Sequence, residues 1–414
     1  MALAADDVLL EDLLGRLAQV PGAAGLLLGV SVYREPVDFS GVLFVAGQPD
    51  SGAEHIPDRK AAYEQITGIL SAAGITVDEP LDLASVPAHV RAQLAPHIDE
   101  LNRRPAPPFR PPPGLDEQVA ACQAASLLTI SGDDGQPQFF VHRWTATELV
   151  GRAAREPGQR LTGAHRQAAA YWRWRVRVWP QDPAADVHDL LEARYHLLLA
   201  GDTEDAGQVT EQAVRQLHTR GAWDQEASLI HDTLARLPAD SPQATWIYQL
   251  GMIARDRGDY DEAARQYQRS LDIGERRGDQ AIMAASYGQL GILAHDRGDY
   301  DEAARQHQRS LDISERLGNQ ADMAATYSQL GILEAERNGP NGAAVAWHVQ
   351  ALAIRLRLGG PQAENNLRHL AAHRRELGAG PFTSLLAQAA GDTGLADRIT
   401  SLIDQVDNTD GGTA

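Results

Sequence analysis

Hydrophobic positions in the C-terminal half follow a helical period, with a longer period laid over it. Across residues 244–257, Ile247, Leu250, Ile253 and Ala254 fall at i, i+3, i+6 and i+7, the stripe of one helix. Ala263, Tyr267 and Leu271 mark one face of a second helix. The pair then returns 40 residues later: residues 249–288 and 289–328 share 30 of 40 positions. A weaker copy starts at Gln329, and a looser unit over 220–238 aligns Gly221 and Trp223 with Gly258 and Tyr260. Self-similarity at this period predicts a solenoid of helical hairpins.

The triplet Arg-Gly-Asp occurs at 257–259, 277–279 and 297–299, 20 residues apart. That spacing alternates within and between hairpins, so each triplet reads as a helix's last-turn arginine, a left-handed C′ glycine and an N-cap aspartate. Glu262, three residues after Asp259, suggests a capping box. The third copy replaces the triplet with Asn338-Gly339-Pro340 and keeps a turn there.

The first 240 residues have another pattern. Residues 9–20 predict an amphipathic helix ending before Pro21, and PGAAGLLLGVSVYREPVD an apolar helix closed by Pro36. A further helix is expected over 57–73. RRPAPPFRPPPG (103–114) reads as a linker or an extended crossing. Beyond it, LLTI and FFVHR flank the turn SGDDGQ, a hairpin between helices that suggests a winged-helix unit. HDLLEARYHLLLAGDTEDAGQVTEQAVRQL predicts more helical hairpins. Helices near 364–377 and 382–405 are expected to cap the array, and 406–414 to be a disordered tail.

Composition narrows the setting. The chain has 414 residues, 43% of them hydrophobic, so it can build a large core. One cysteine, Cys122, leaves no disulfide framework. The acidic start lacks a signal peptide's basic region, and the longest apolar run, 23–32, is too short to span a bilayer. A cytoplasmic protein is expected, with no membrane partner, and the triplets lose their reading as adhesion motifs. A net charge of −19 opposes binding to nucleic acid or anionic membrane unless charge is segregated. Lys60 is the only lysine; arginine and alanine dominate, as in a high-GC bacterial genome.

Leu250-Gly251, Gly258, Tyr260, Ala263, Tyr267 and Leu271 stand at the signature spacing of the tetratricopeptide repeat, which 249–328 resembles closely and 329–358 more loosely. The resemblance implies a right-handed superhelix whose first helices line a concave surface that binds a protein or peptide. It places Gln249, Met252 and Asp256 on that surface, then Gln289, Ile292 and Asp296, then Gln329, Ile332 and Glu336. Arg255 and His295 stand beside them. Amides and acids in register, with few cations, suit a neutral or basic ligand segment or a solvated acidic face.

A second resemblance covers residues 9–206. LLGRLAQVPGAAGLLLGVSVYREPVD, FFVHRWTATEL, HRQAAAYWRWR and EARYHLLLAGDTEDA are similar to the stretch that follows the nucleotide-binding core in STAND-type NTPases. There a winged-helix region precedes a ligand-sensing repeat array. No G-x-x-x-x-G-K-[ST] occurs, and Lys60 lies in PDRKAAY rather than a glycine loop, so ATP hydrolysis by a P-loop is not expected of this sequence. A separate nucleotide-binding STAND core is then a possible partner. Without one, the apolar face of 9–32 would be left exposed as a docking surface.

Other motifs carry less. YWRWRVRVW (171–179) interleaves arginines with aromatics, a hint of nucleic acid, but equally describes a helix packed through Tyr171, Trp174 and Val178. His369 and His373 in HLAAH have a zinc-compatible spacing without the metalloprotease glutamate or a third ligand. Ser31 lacks the second glycine of a nucleophile elbow, and Cys122 reads as a core thiol. No catalytic constellation, metal site or cofactor site emerges, and an enzyme is not expected.

The expected architecture is mostly α: 1–102 helical; 103–114 linker; 115–180 winged-helix-like with a following helix; 187–378 repeat array, clearest over 244–358; 379–405 capping helices. The expected function is a protein-interaction scaffold or sensor, the regulatory part of a STAND-type signalling switch. The alternative is a transcription regulator of the STAND antibiotic-regulatory class.

Overall fold

The computed structural model describes all residues except 1, 53, 76–82, 133–136, 156–159, 238–242, 360–361 and 411–414. The chain divides into two compact units, Met1–Ala222 and Trp223–Ala414.

The first unit contains α1 (Ala2–Leu17), α2 (Ala23–Ser31), α3 (Phe39–Ala46), α4 (Arg59–Ala72), α5 (Ala88–Asn102), α6 (Leu115–Ala124), α7 (Arg143–Ala153), α8 (Arg160–Val178), α9 (Pro183–Ala200) and α10 (Thr203–Thr219). Two small ribbons join them: β1 (Gln48–Pro49) pairs with β2 (Phe109–Arg110), and β3 (Thr129–Ser131) with β4 (Gln138–Phe140), both antiparallel. The Pro-rich stretch is thus an extended crossing, with Ala106 also bridged to His55. Its prolines are tolerated because a two-stranded ribbon is all edge. The expected hairpin forms with Ile130 opposite Phe139, and most of its SGDDGQ turn lies outside the described residues.

The exposed 9–32 face is not found. Leu10, Leu17, Ala23, Leu26, Leu27 and Val30 are buried in one core with Val42, Leu115, Cys122, Leu128 and Phe139. The segment 39–46, which carried no expected element, supplies α3 as part of the cover. The Cys122 thiol is fully buried near the Ala23 carbonyl, and burial pushes its pKa up to about 11. Ser31 donates to the Leu27 carbonyl oxygen at 2.6 Å inside its helix.

In the second unit, α11 (Trp223–Arg236) precedes three helical hairpins: α12 (Gln243–Asp256) with α13 (Tyr260–Arg277), α14 (Gln280–Asp296) with α15 (Tyr300–Leu317), and α16 (Gln320–Asn338) with α17 (Gly342–Leu358). Each second helix also packs on the next first helix. The triplets do what their spacing predicts. Gly258, Gly278 and Gly298 have φ of 80°, 69° and 77°. Asp259, Asp279 and Asp299 accept from the backbone N–H of Glu262, Ile282 and Glu302 at 3.0–3.2 Å. The capping box does not close. The Asp259 N–H already donates to the Ala254 carbonyl oxygen at 2.9 Å, so Glu262 turns to Arg265 and Gln266 instead.

The helices of each hairpin cross at a glycine. A Cβ on Gly251 would lie 2.7 Å from the Tyr267 ring, one on Gly291 2.7 Å from His307, and one on Gly331 2.8 Å from His348. The ring from the second helix therefore fills the space that a first-helix side chain would need.

The array closes on α18 (Ala363–Leu377), α19 (Ala379–Ala390) and α20 (Thr393–Asp410). Val345, Val349 and Leu352 of α17 meet Leu367, Leu370, Phe382, Leu386, Ile399 and Ile403 in one core. The capping helices α19 and α20 are separated at Gly391 (φ 64°), and Asp392 caps the restart through Gly394 N and Leu395 N. Helix α20 continues to Asp410, into the stretch read as a tail; 411–414 lie outside the described residues.

Candidate functional site

All eleven residues expected on the binding surface lie on first helices. Gln249, Met252, Arg255 and Asp256 are on α12, Gln289, Ile292, His295 and Asp296 on α14, and Gln329, Ile332 and Glu336 on α16. None is fully buried: Asp296 and Glu336 are exposed and the others half-buried. Successive first helices contact each other, α12 with α14 and α14 with α16, more than successive second helices do.

The rows of amides and acids are cross-linked. Arg255 donates through Nη1 to Gln289 Oε1 at 2.6 Å and through Nη2 to Asp256 Oδ1 at 3.0 Å. His295 Nε2 lies 2.7 Å from Glu336 Oε2, one repeat on, and its Nδ1 is 3.9 Å from Asp296. All three acids therefore lie beside an arginine or an imidazole of the array itself, which weakens the case for a basic ligand. Gln249 Oε1 is buried and accepts no hydrogen bond. Met252 packs beside Ala254, Ala263, Tyr267 and Leu293.

At the far end of this face is a pocket of about 330 Å³, lined by Gln329 and Ile332 of α16, Ser328, Arg355 of α17, and Asn365, Asn366, Arg368 and His369 of α18. The α17 and α18 members were not legible as site residues, because they fall where the repeat pattern decays. The pair Asn365-Asn366 beside Arg368 and His369 was the one available signal.

His369 stacks on His348 at 4.8 Å, and His373 lies 5.4 Å from His348. Among the described residues no group of three His, Cys, Asp or Glu could hold a metal ion. Burial pushes His348 down to about 3 and also lowers His369 and His373. These imidazoles pack as neutral rings.

The first unit has a larger cleft of about 890 Å³, lined in part by Tyr33, Arg34, Arg143, His165, Glu192 and Tyr195. Its main polar groups are already engaged. Arg34 binds the buried Glu192 and lies 3.9 Å from the Tyr195 ring centre, and His165 Nδ1 meets His196 Nδ1 at 3.0 Å. In α8, Tyr171, Trp174 and Val178 are buried as expected, and Trp172 with them. Four arginines of this helix face carboxylates of their own unit: Arg166 with Asp202, Arg173 with Asp205, Arg175 with Asp189 and Arg177 with Glu54. No described helix is long and apolar enough to cross a membrane.

Residues 243–316 match the family model of the tetratricopeptide repeat. No curated protein matches the sequence. Among solved structures, BtubC (BKLC) from P. vanneervenii aligns over 62% of this chain and 93% of its own, at 18% identity and a TM-score of 0.34. A STAND protein with a tetratricopeptide repeat sensor from Pyrococcus horikoshii aligns over 94% of this chain and 53% of its own, at 12% identity and a TM-score of 0.40. The apo form of RapI aligns over 57% of this chain and 95% of its own, at 14% identity and a TM-score of 0.40. Superpositions this loose carry no argument about function. The family match over 243–316, and the α16–α17 hairpin that continues the same packing after it, identify the array as tetratricopeptide repeats.

Proposed function

We propose that the chain is a protein-interaction scaffold or sensor, with a protein or peptide segment received on the inner face of α12, α14 and α16. The carrying observation is the chemistry of that face. Met252, Ile292 and Ile332 recur one repeat apart and are only half-buried, beside the amide row Gln249, Gln289 and Gln329. Partly exposed apolar side chains alternating with amides suit an extended or helical segment that buries apolar groups and bonds through its backbone. Tetratricopeptide repeats build scaffolds for protein–protein interaction, which supports the reading.

Within it, the array is the regulatory part of a STAND-type switch whose nucleotide-binding core is a separate partner. Ligand on the inner face would bias how the switch is held, a coupling of roughly 1–3 kcal/mol. Transcription regulation through α8 has less support, because Arg166, Arg173, Arg175 and Arg177 are paired with carboxylates. The test is co-purification with mass spectrometry, comparing the native chain with a Gln289→Arg, Asp296→Arg double variant of unchanged melting midpoint. A partner enriched on the native chain should be lost from the variant. A partner that stays bound would refute the inner-face assignment.

A further inference from the structure

Arg355, in the last turn of α17, is half-buried and has no carboxylate partner among the described residues. Its Nη1 donates to Asn366 Oδ1 and to the Gln362 carbonyl oxygen, the latter at 3.1 Å. Those two bonds use the two Nη1 hydrogens, and among the described residues the three donors on Nη2 and Nε have no partner. Five other arginines of the unit, Arg255, Arg297, Arg337, Arg368 and Arg374, each hold a carboxylate within 3.0 Å. A partly desolvated cation without a counter-charge is unfavourable by itself.

The surroundings hold this guanidinium in one orientation. Asn366 is 1% exposed, and its Nδ2 lies 2.9 Å from Ser328 Oγ and 3.1 Å from His348 Nδ1. With Nδ2 donating to both, Oδ1 is fixed toward Arg355. His348 then accepts at Nδ1 and carries its proton on Nε2, against Gly331. Three elements thus orient one cation at a pocket whose lining contains two guanidiniums, an imidazole, two asparagines, a glutamine and a serine, but no carboxylate. Burial pulls the Arg355 pKa below its ordinary value, and burial, with the Arg355 charge adding to it, lowers His369; a bound anion would offset that charge.

We infer that this pocket is an oxyanion site, taking a carboxylate or phosphate group on the unspent Nε and Nη2 donors of Arg355, with Arg368 and His369 beside it. A planar fork of N–H donors matches two oxygens of such a group. The site stands on the second unit alone and does not require the inner face to bind a peptide. If both hold, the ligand segment carries an acidic group at its α18 end.

The test uses the full chain labelled with ¹⁵N-arginine. The Nε–H resonance of Arg355 is identified by its loss in Arg355→Lys, and acetate, inorganic phosphate and chloride are titrated at constant ionic strength. The Arg355 resonance should move saturably with acetate, phosphate or both, and the arm that moves it names the preferred group. The resonances of Arg265 and Arg276 should not follow. The thermal midpoint of the native chain should rise by a few degrees with the same anion, and that rise should vanish in Arg355→Gln. An Arg355 resonance that moves no more than the control arginines, or equally with chloride, would overturn the inference. Should Arg355→Gln fail to fold, the resonance of the native chain still decides.

Discussion

At the residue scale, one slot is filled three ways. Tyr267, His307 and His348 occupy equivalent places against Gly251, Gly291 and Gly331. Gly251 and Tyr267 were legible as positions of the repeat signature; the two histidines were not, because nothing in the sequence marks a polar ring as a core ring. His307 is 2% exposed, and burial pushes its pKa from 6.5 down to about 4, with His295 adding to the effect. A depressed pKa means that the fold holds the neutral ring. Its contribution is fully present above about pH 6.5 and is lost as pH falls toward about 4. The full shift corresponds to about 3 kcal/mol. Replacing His307 with tyrosine, as in the preceding repeat, should make the loss of stability across that window shallower, as read by urea midpoints at its two ends. An unchanged slope would show that His307 titrates normally in the fold.

At the element scale, the turns were the most legible feature, since a left-handed glycine followed by a capping aspartate is a local requirement. What the turn residues do between repeats was not legible. Arg257 reaches Asp224, Arg297 reaches Asp261 and Arg337 reaches Asp301, at 2.6–2.7 Å, tying each first helix to the start of the preceding second helix. The two roles differ in weight. Asp299→Ala removes an N-cap and should cost about 1 kcal/mol. Arg297→Ala breaks an exposed ion pair and should cost roughly 0–1 kcal/mol, shrinking with added salt. Denaturant midpoints in low and high salt separate them: the aspartate effect should persist in salt and the arginine effect should not. The aspartate carboxylate is also occupied in the turn, which leaves the triplet poorly available as a ligand for another protein.

At the scale of the whole molecule, legibility divides with the two units. In the second unit the hairpins were legible from the 40-residue repetition. The end of the array was less readable because α18–α20 follow packing against α17 rather than repeat spacing; that region holds the Arg355 pocket. In the first unit individual helices and the β3–β4 ribbon were legible. Its core was not, since α2, α3 and α6 come together through contacts distant in sequence. The central claim is that ligand binds the inner face of α12, α14 and α16. Site-specific photocrosslinking tests it most directly, with a photoreactive residue at Ile292 on the inner face, or at Gln268, exposed on α13, in cells producing the full chain. The account predicts a discrete adduct from position 292, absent from position 268. Adducts of equal yield from both positions, or from position 268 alone, would contradict it.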